Sequence, residues 1–337
     1  MPLLNPLPYW LPKSPENQIM RSLDDYSPQE LSTIQQNYPN HFSRVIKPNP
    51  DELTSNSEVR KQWQQFLNQD LYRSSKTPKI YFLKITNTHI DYFGFLCGLS
   101  TTDFKSGAIT SHEKTYIQRV QYMAQYLETV QIQAEPVVVI HEEAPPKELL
   151  LENFEERTND FSFNFEKSKY QLWQLSPHEV SLLQNWSLEK AYFHLADGHH
   201  RTACMIYLAE KKQTQLNVSS FLIHQDQIRL HSFVWFLDRA LSKVEFEFLR
   251  QAIEINQGEV ISINSVENNE YPLILMLNSI YYGFRSKNIQ SENVPEFIHQ
   301  TFLKSLPQLK NQLKYVPDIE INKKKIHPNL LCSGCNH

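Results

Sequence analysis

Tyr192–Met205, "YFHLADGHHRTACM", passes from apolar residues through Asp197, Gly198, His199, His200 and Arg201 and back to apolar residues. Ala191–Ala196 reads as a strand, and the residues from His199 or His200 onward read as a helix. Asp197 or Gly198 then stands at the helix cap. A helix N-terminus presents unpaired backbone N–H groups and about half a positive charge, so it attracts anions. Gly198 would let a phosphate reach the backbone with no β-carbon in the way. His199, His200 and Arg201 would add donors around it, the arginine bidentately. Asp197 would serve as a cap, a magnesium ligand or a base. The helix is expected to bury Ala203, Cys204, Ile206 and Tyr207.

Glycine is scarce around this turn. The chain has 337 residues and seven glycines, and they form neither a P-loop nor a dinucleotide fingerprint. Any phosphate site must therefore be built another way. Apolar residues make up 40% and charged residues 21%, enough for a packed core. With 33 basic and 37 acidic residues the net charge is −4, so no basic excess points to nucleic acid or an anionic membrane. No apolar run approaches a membrane span. The proline-broken start, "MPLLNPLPYWLPKSP", lacks the basic region of a secretory signal. Four cysteines are too few for a disulfide framework, and a cytoplasmic protein is expected.

Elsewhere the pattern mixes helices and strands without a βαβ rhythm. "SPQELSTIQQNY" carries a capping box, Ser27 with Glu30. "KIYFLKIT" and "IDYFGFLCGLS" read as paired strands, and "EPVVVIHE" as a short buried one. "TSHEKTYIQRVQYMAQYLETVQ" reads as a helix of about five turns. "VPEFIHQTFLKSLPQL" reads as another helix. The fold class is α+β, with mixed sheets and flanking helices. Residues 1–150 are expected to form an N-terminal α+β lobe, 151–318 a second lobe with C-terminal elements, and 319–337 a flexible tail.

His112 and Glu113 stand just before a helix. Brought to the turn at Asp197, Glu113 would act as a general base on a substrate hydroxyl or hold Mg²⁺. Zinc patterns fail: a metalloprotease motif would need histidines where Tyr116 and Pro145 stand. Cys332 and Cys335, with His337 close behind, have the C-x-x-C spacing of half a zinc site, but the chain has no second pair to complete one.

Ala196–Arg201 resembles the ADGHHR hallmark of the proteins grouped as domain of unknown function 1015. "GAITSHEKT", Gly107–Thr115, is similar to that family's second motif, and "LDDYSPQELSTIQQNYPNHFSRVIKP" more loosely to its N-terminal segment. The resemblance spans about residues 10 to 318. It implies a ParB/sulfiredoxin-like core, in which the strand–turn–helix holds nucleotide phosphates, and a kinship with free serine kinases. It thus implies ATP or ADP with Mg²⁺ as cofactors, and a small hydroxyl-bearing metabolite such as free serine as substrate. Gly198, His199, His200, Arg201 and His112 would bind the nucleotide. Asp197, Glu113 and His200 would carry the chemistry, with Asp197 and Glu113 on the metal. The alternative is a nucleotide-binding or scaffold protein without turnover. The family's LP.HR step is altered here, with His231, Phe233 and Val234 where its proline, histidine and arginine would stand. Its tyrosine–aspartate step is Leu23–Asp24, and its C-terminal MP.KST-like motif is absent.

Overall fold

The computed structural model describes residues 2–20, 26–46, 55–75, 77–87, 91–111, 115–189, 192–227, 233–237, 242–255, 258–263, 273–277, 280–286, 313–317 and 331–334. The chain forms two compact units, 1–228 and 229–337. The expected helix at 294–309 lies outside the described residues.

The first unit begins with β1 (Leu4–Asn5), β2 (Trp10–Pro12), α1 (Pro15–Gln18), α2 (Pro28–Asn37), α3 (Asn56–Asn68) and β3 (Tyr72–Ser74). It continues through β4 (Tyr81–Thr86), β5 (Asp91–Ser100), α4 (Thr101–Lys105), β6 (Ile109–Ser111), α5 (Ile117–Val130) and β7 (Val137–His141). Then come α6 (Leu151–Glu155), β8 (Phe161–Phe165), β9 (Ser168–Gln174), α7 (Pro177–Glu189), β10 (Phe193–Asp197), α8 (His199–Lys212) and β11 (Asn217–His224). The capping box of Ser27 and Glu30 opens α2, and a second one, Ser55 with Glu58, opens α3. Serine–glutamate pairs at Ser176–Glu179 and Ser242–Glu245 make the same exchange.

The main sheet runs β6-β10-β7-β11-β5-β4-β9-β8, with β1 also on β5. It takes strands from both sides of residue 150. The pairs β6–β10 and β7–β11 are parallel, and the others antiparallel. β6 carries no mark of its own in the sequence: Ile109–Ser111 is too short to show a period, and Thr110 and Ser111 read as part of the following helix. One face of the sheet buries Phe82, Phe95, Val137, Val139, Trp173, Phe193 and Met205 in the largest core cluster. Phe82 stacks on Phe154 at 3.9 Å. The helix face of α8 differs from the expected one. Cys204, Met205, Leu208 and Ala209 are buried with His199 and Thr202, while Ala203, Ile206 and Tyr207 are only half-buried. The reason is that α8 is covered on two sides, by the sheet through Met205 and by α5 through Cys204 and Leu208.

The second unit holds β12 (Phe233–Leu237), α9 (Lys243–Ile255), β13 (Gly258–Ile263), β14 (Leu273–Leu277), β15 (Ile280–Ser286), β16 (Leu313–Pro317) and β17 (Leu331–Gly334). Its sheet runs β13-β15-β14-β17-β12-β16. β14 and β15 pair antiparallel, with Leu277 opposite Ile280. Within the stretch expected to be a tail, Leu331–Gly334 pairs with both β12 and β14 and so fills the place between them. Among the described residues no helix is long and apolar enough to cross a membrane.

His141 ends β7 in the first unit, only 3% exposed. Burial pulls its pKa from 6.5 to about 4, opposed by the bond to the Glu143 carbonyl and assisted by His224. Its folded pKa lies below its unfolded one. The unfolded chain therefore binds the extra proton first, and stability falls as the pH drops from 6.5 toward 4. The loss at this one group is roughly 3 kcal/mol. Urea unfolding across this pH range should show it, and His141→Asn should flatten the acid limb relative to the wild type. Parallel limbs in the two proteins would contradict the assignment.

Candidate functional site

β10 and β6 run in parallel, with Phe193, His194 and Leu195 opposite Ile109, Thr110 and Ser111. Each strand is followed by a helix, α8 after β10 and α5 after β6. These two helices lie side by side and start together. The Tyr116 N–H donates to Nε2 of His200 at 3.3 Å, and the two rings stack with centroids 6.0 Å apart. Val120 and Ala124 pack on Cys204 and Leu208 farther along. At the far end Lys211 pairs with Glu128 at 2.7 Å. Contacts from start to start and from end to end make the helices parallel, so their positive dipole ends meet at one place.

Neither of these helices has a side-chain cap at its N-terminus. That separates them from α2, α3, α7 and α9 with their serine–glutamate pairs. Gly198 is the N-cap of α8, at φ +92, a conformation that disfavours any residue with a β-carbon. A β-carbon there would stand 2.5 Å from Cγ1 and 2.8 Å from Cβ of Val137. Packing against β7 therefore demands the glycine, whether or not a phosphate comes near.

The other residues of the turn point in different directions. His199 is buried, at 5% exposure. Nε2 of His200 accepts a backbone N–H, so in the neutral ring the proton sits on Nδ1. Asp197 keeps an exposed carboxylate, and its Oδ2 accepts from Arg201 Nη2 at 2.6 Å. The same guanidinium donates through Nη1 to the carbonyls of Pro136 at 2.8 Å and Glu135 at 3.2 Å. Glu135 also supplies a carboxylate oxygen at 3.0 Å. Arg201 thus ties the start of α8 to the residues leading into β7.

His112 and Glu113 lie outside the described residues. The chain on both sides of them reaches the site: Ser111 stands beside Leu195 and Tyr116 contacts His200. Nothing in the sequence alone ties Tyr116, Glu135, Pro136 and Val137 to the turn at Asp197–Arg201. A signal was present in "EPVVV", since a proline before a buried strand marks where a chain enters a sheet. Among the described residues no group of three or more His, Cys, Asp or Glu side chains is placed to hold a metal ion. Cys332 lies in β17, and Cys335 and His337 are outside the described residues. Burial pushes the thiols of Cys97 and Cys204 up to about 12, so neither is a thiolate near neutral pH.

The fold and the site define an α+β protein whose two sequence motifs meet at paired helix starts. The chain belongs to the DUF1015 family, proteins of unknown function, whose family model matches residues 9–293. No curated protein matches it. Among solved structures it is similar to a free serine kinase in complex with ADP, at 10% identity and a TM-score of 0.39, over 70% of this chain and 75% of that one. It is similar also to SbnI with a C-terminal truncation from Staphylococcus aureus, at 10% identity and a TM-score of 0.36, over 71% and 70%. A conserved hypothetical protein from Pyrococcus furiosus gives 10% identity and a TM-score of 0.36, over 70% and 78%. Likeness at this level assigns no residue of this chain a role.

Replacing Gly198 by alanine should cost about 2–4 kcal/mol, from the left-handed backbone and the contact with Val137 together. Urea unfolding of Gly198→Ala measures it. A loss below about 1 kcal/mol would show that neither effect acts as described.

Proposed function

We propose that the turn at Asp197–Arg201 binds the phosphates of a nucleotide, ATP or ADP, and that the protein is a phosphotransferase or nucleoside triphosphatase. The observation that carries this proposal is the joint start of α5 and α8, both without a side-chain cap, at the ends of parallel strands. Two helix dipoles then face one anion. The ADGHHR turn resembles the strand–turn–helix that holds nucleotide phosphates in ParB/sulfiredoxin-like folds, and that resemblance supports the same assignment.

In this proposal the first amides of α8 and the imidazoles of His199 and His200 cradle the phosphates, with His112 beside them. Arg201 joins them by exchanging its bonds to Asp197 and Glu135 for a phosphate. Asp197 is released by that exchange and becomes available to Mg²⁺. A magnesium ion bound to phosphates takes one or two protein carboxylates. Asp197 fits that need, with Glu113 as the second carboxylate or as the base on a hydroxyl. The ion would neutralise phosphate charge. The chain's own part is to position the phosphates and hold the acceptor's proton. The acceptor class is a small hydroxyl-bearing metabolite, free serine among the first to be tried.

A second assignment, binding without turnover, is favoured by the Arg201–Asp197 pair. It occupies both the cation and the carboxylate that catalysis would use.

Calorimetric titration of ATP, ADP and CTP with Mg²⁺ tests binding, and phosphate release in the presence of serine tests turnover. His200→Ala is expected to weaken nucleotide binding about tenfold. Arg201→Ala should weaken it at least as much, with unfolding curves recorded for both. Binding without phosphate release selects the second assignment. If no nucleotide binds the wild type, both assignments fail.

A further inference from the structure

A second group of side chains sits on the far face of β6 and β10. Ile109, Phe193 and Leu195 point into the core. Alternation along the two strands therefore turns Thr110 and His194, which stand opposite each other, to the other face. Thr110 is exposed there, and the side chain of His194 is 40% exposed.

The two side chains are joined. Thr110 Oγ1 lies 2.6 Å from Nδ1 of His194, against 3.5 Å from the Phe193 carbonyl, so the imidazole is its close partner. Nε2 of the same ring lies 3.1 Å from a carboxylate oxygen of Glu142. An ionised carboxylate only accepts. In the neutral ring the proton therefore sits on Nε2, and Nδ1 keeps the lone pair that receives the threonine O–H. A hydroxyl, an imidazole base facing it and a carboxylate behind the imidazole form the arrangement that activates an oxygen nucleophile.

The carboxylate has a fixed backbone behind it. Glu142 follows β7 in a turn whose carbonyls are held by two further imidazoles. His224 donates from Nε2 to the Glu142 carbonyl at 2.9 Å, and His141 donates from Nδ1 to the Glu143 carbonyl at 2.7 Å. The ring of His224 is set in turn by the Asp226 N–H, which Nδ1 accepts at 3.3 Å. Paired strands thus fix Thr110 and His194, and this turn fixes Glu142.

We propose that Thr110 is an acyl-accepting nucleophile, with His194 as its general base and Glu142 positioning the imidazole. The hydroxyl oxygen bonds to the carbonyl carbon of an ester while its proton passes to Nδ1 of His194. The bond to the leaving oxygen then breaks, and the proton goes on to that oxygen or to water. A water molecule, deprotonated by the same imidazole, splits the threonyl ester and releases the acid. The group is open to solvent, so water meets the developing oxyanion and the donor must carry its own good leaving group. That selects activated carboxylic esters. Phosphate donors are disfavoured, because the Glu142 carboxylate beside the ring repels their charge. The proposal does not depend on nucleotide binding at Asp197–Arg201.

The test treats the full-length protein with para-nitrophenyl acetate and locates the acetyl groups by peptide mass spectrometry. Acetyl is expected on Thr110, where it accumulates because an alkyl ester is cleaved more slowly than the aryl ester that formed it. Thr110→Val keeps the shape and loses the label, whereas Thr110→Ser should retain it. His194→Gln should slow acetylation of Thr110 about a hundredfold. Glu142→Gln should slow it as well, and should turn the ring ¹⁵N resonances of His194 from those of one tautomer into those of a mixture. A carboxylate that only braced the turn would leave those resonances unmoved. All three side chains lie outside the core, so the substitutions should leave the fold standing. Acetyl groups confined to lysines and the N-terminus, with none on Thr110, overturn the proposal. So does acetylation of Thr110 at the wild-type rate in His194→Gln.

Discussion

A missing β-carbon sets the geometry of the first unit. Gly198 lies so close to Val137 that any side chain would collide with it, and its backbone is left-handed. This contact fixes where β10 ends, how sharply the chain turns and where α8 begins on β7. Arg201 locks the same junction from the next turn of the helix, with bonds to Asp197 and to the two residues ahead of Val137. Backbone conformation, packing and charge all act on one corner.

The parallel pair β6–β10 brings two distant stretches of sequence to that corner. Parallel neighbours deliver their following helices to the same edge of the sheet. With α5 and α8 packed along their length, both helices open beside each other. An uncapped helix start leaves backbone donors for something else to satisfy. Serine–glutamate pairs do this at α2, α3, α7 and α9, and the difference at α5 and α8 gives the corner its chemical character.

The two ends of β10 also differ in electrostatics. At Asp197 a guanidinium is shared among two carboxylates and two carbonyls. At His141 three imidazoles hold a turn through fixed tautomers, and the buried one stays neutral because charging it would cost its desolvation.

Local sequence determined much of this molecule. The capping box at Ser27 and Glu30, the strand–turn–helix at Phe193–Lys212, the strand at Val137–His141 and the strand pair within 273–286 follow from patterns only a few residues long, because caps and periodicities are local. The residue types of the turn at 197–201 were legible for the same reason. Tertiary structure alone decided what those residues touch. Ile109–Ser111 is too short to announce itself as a strand, yet it joins the two motifs. Arg201, which the sequence offers as a free donor, turns to Glu135 and Pro136, 66 and 65 residues away. Gly198 answers to Val137 rather than to its own neighbours, and α8 buries a wider face than its period predicts because a second helix lies across it. Each of these depends on which strand lies beside which, a long-range choice that no short window of sequence contains.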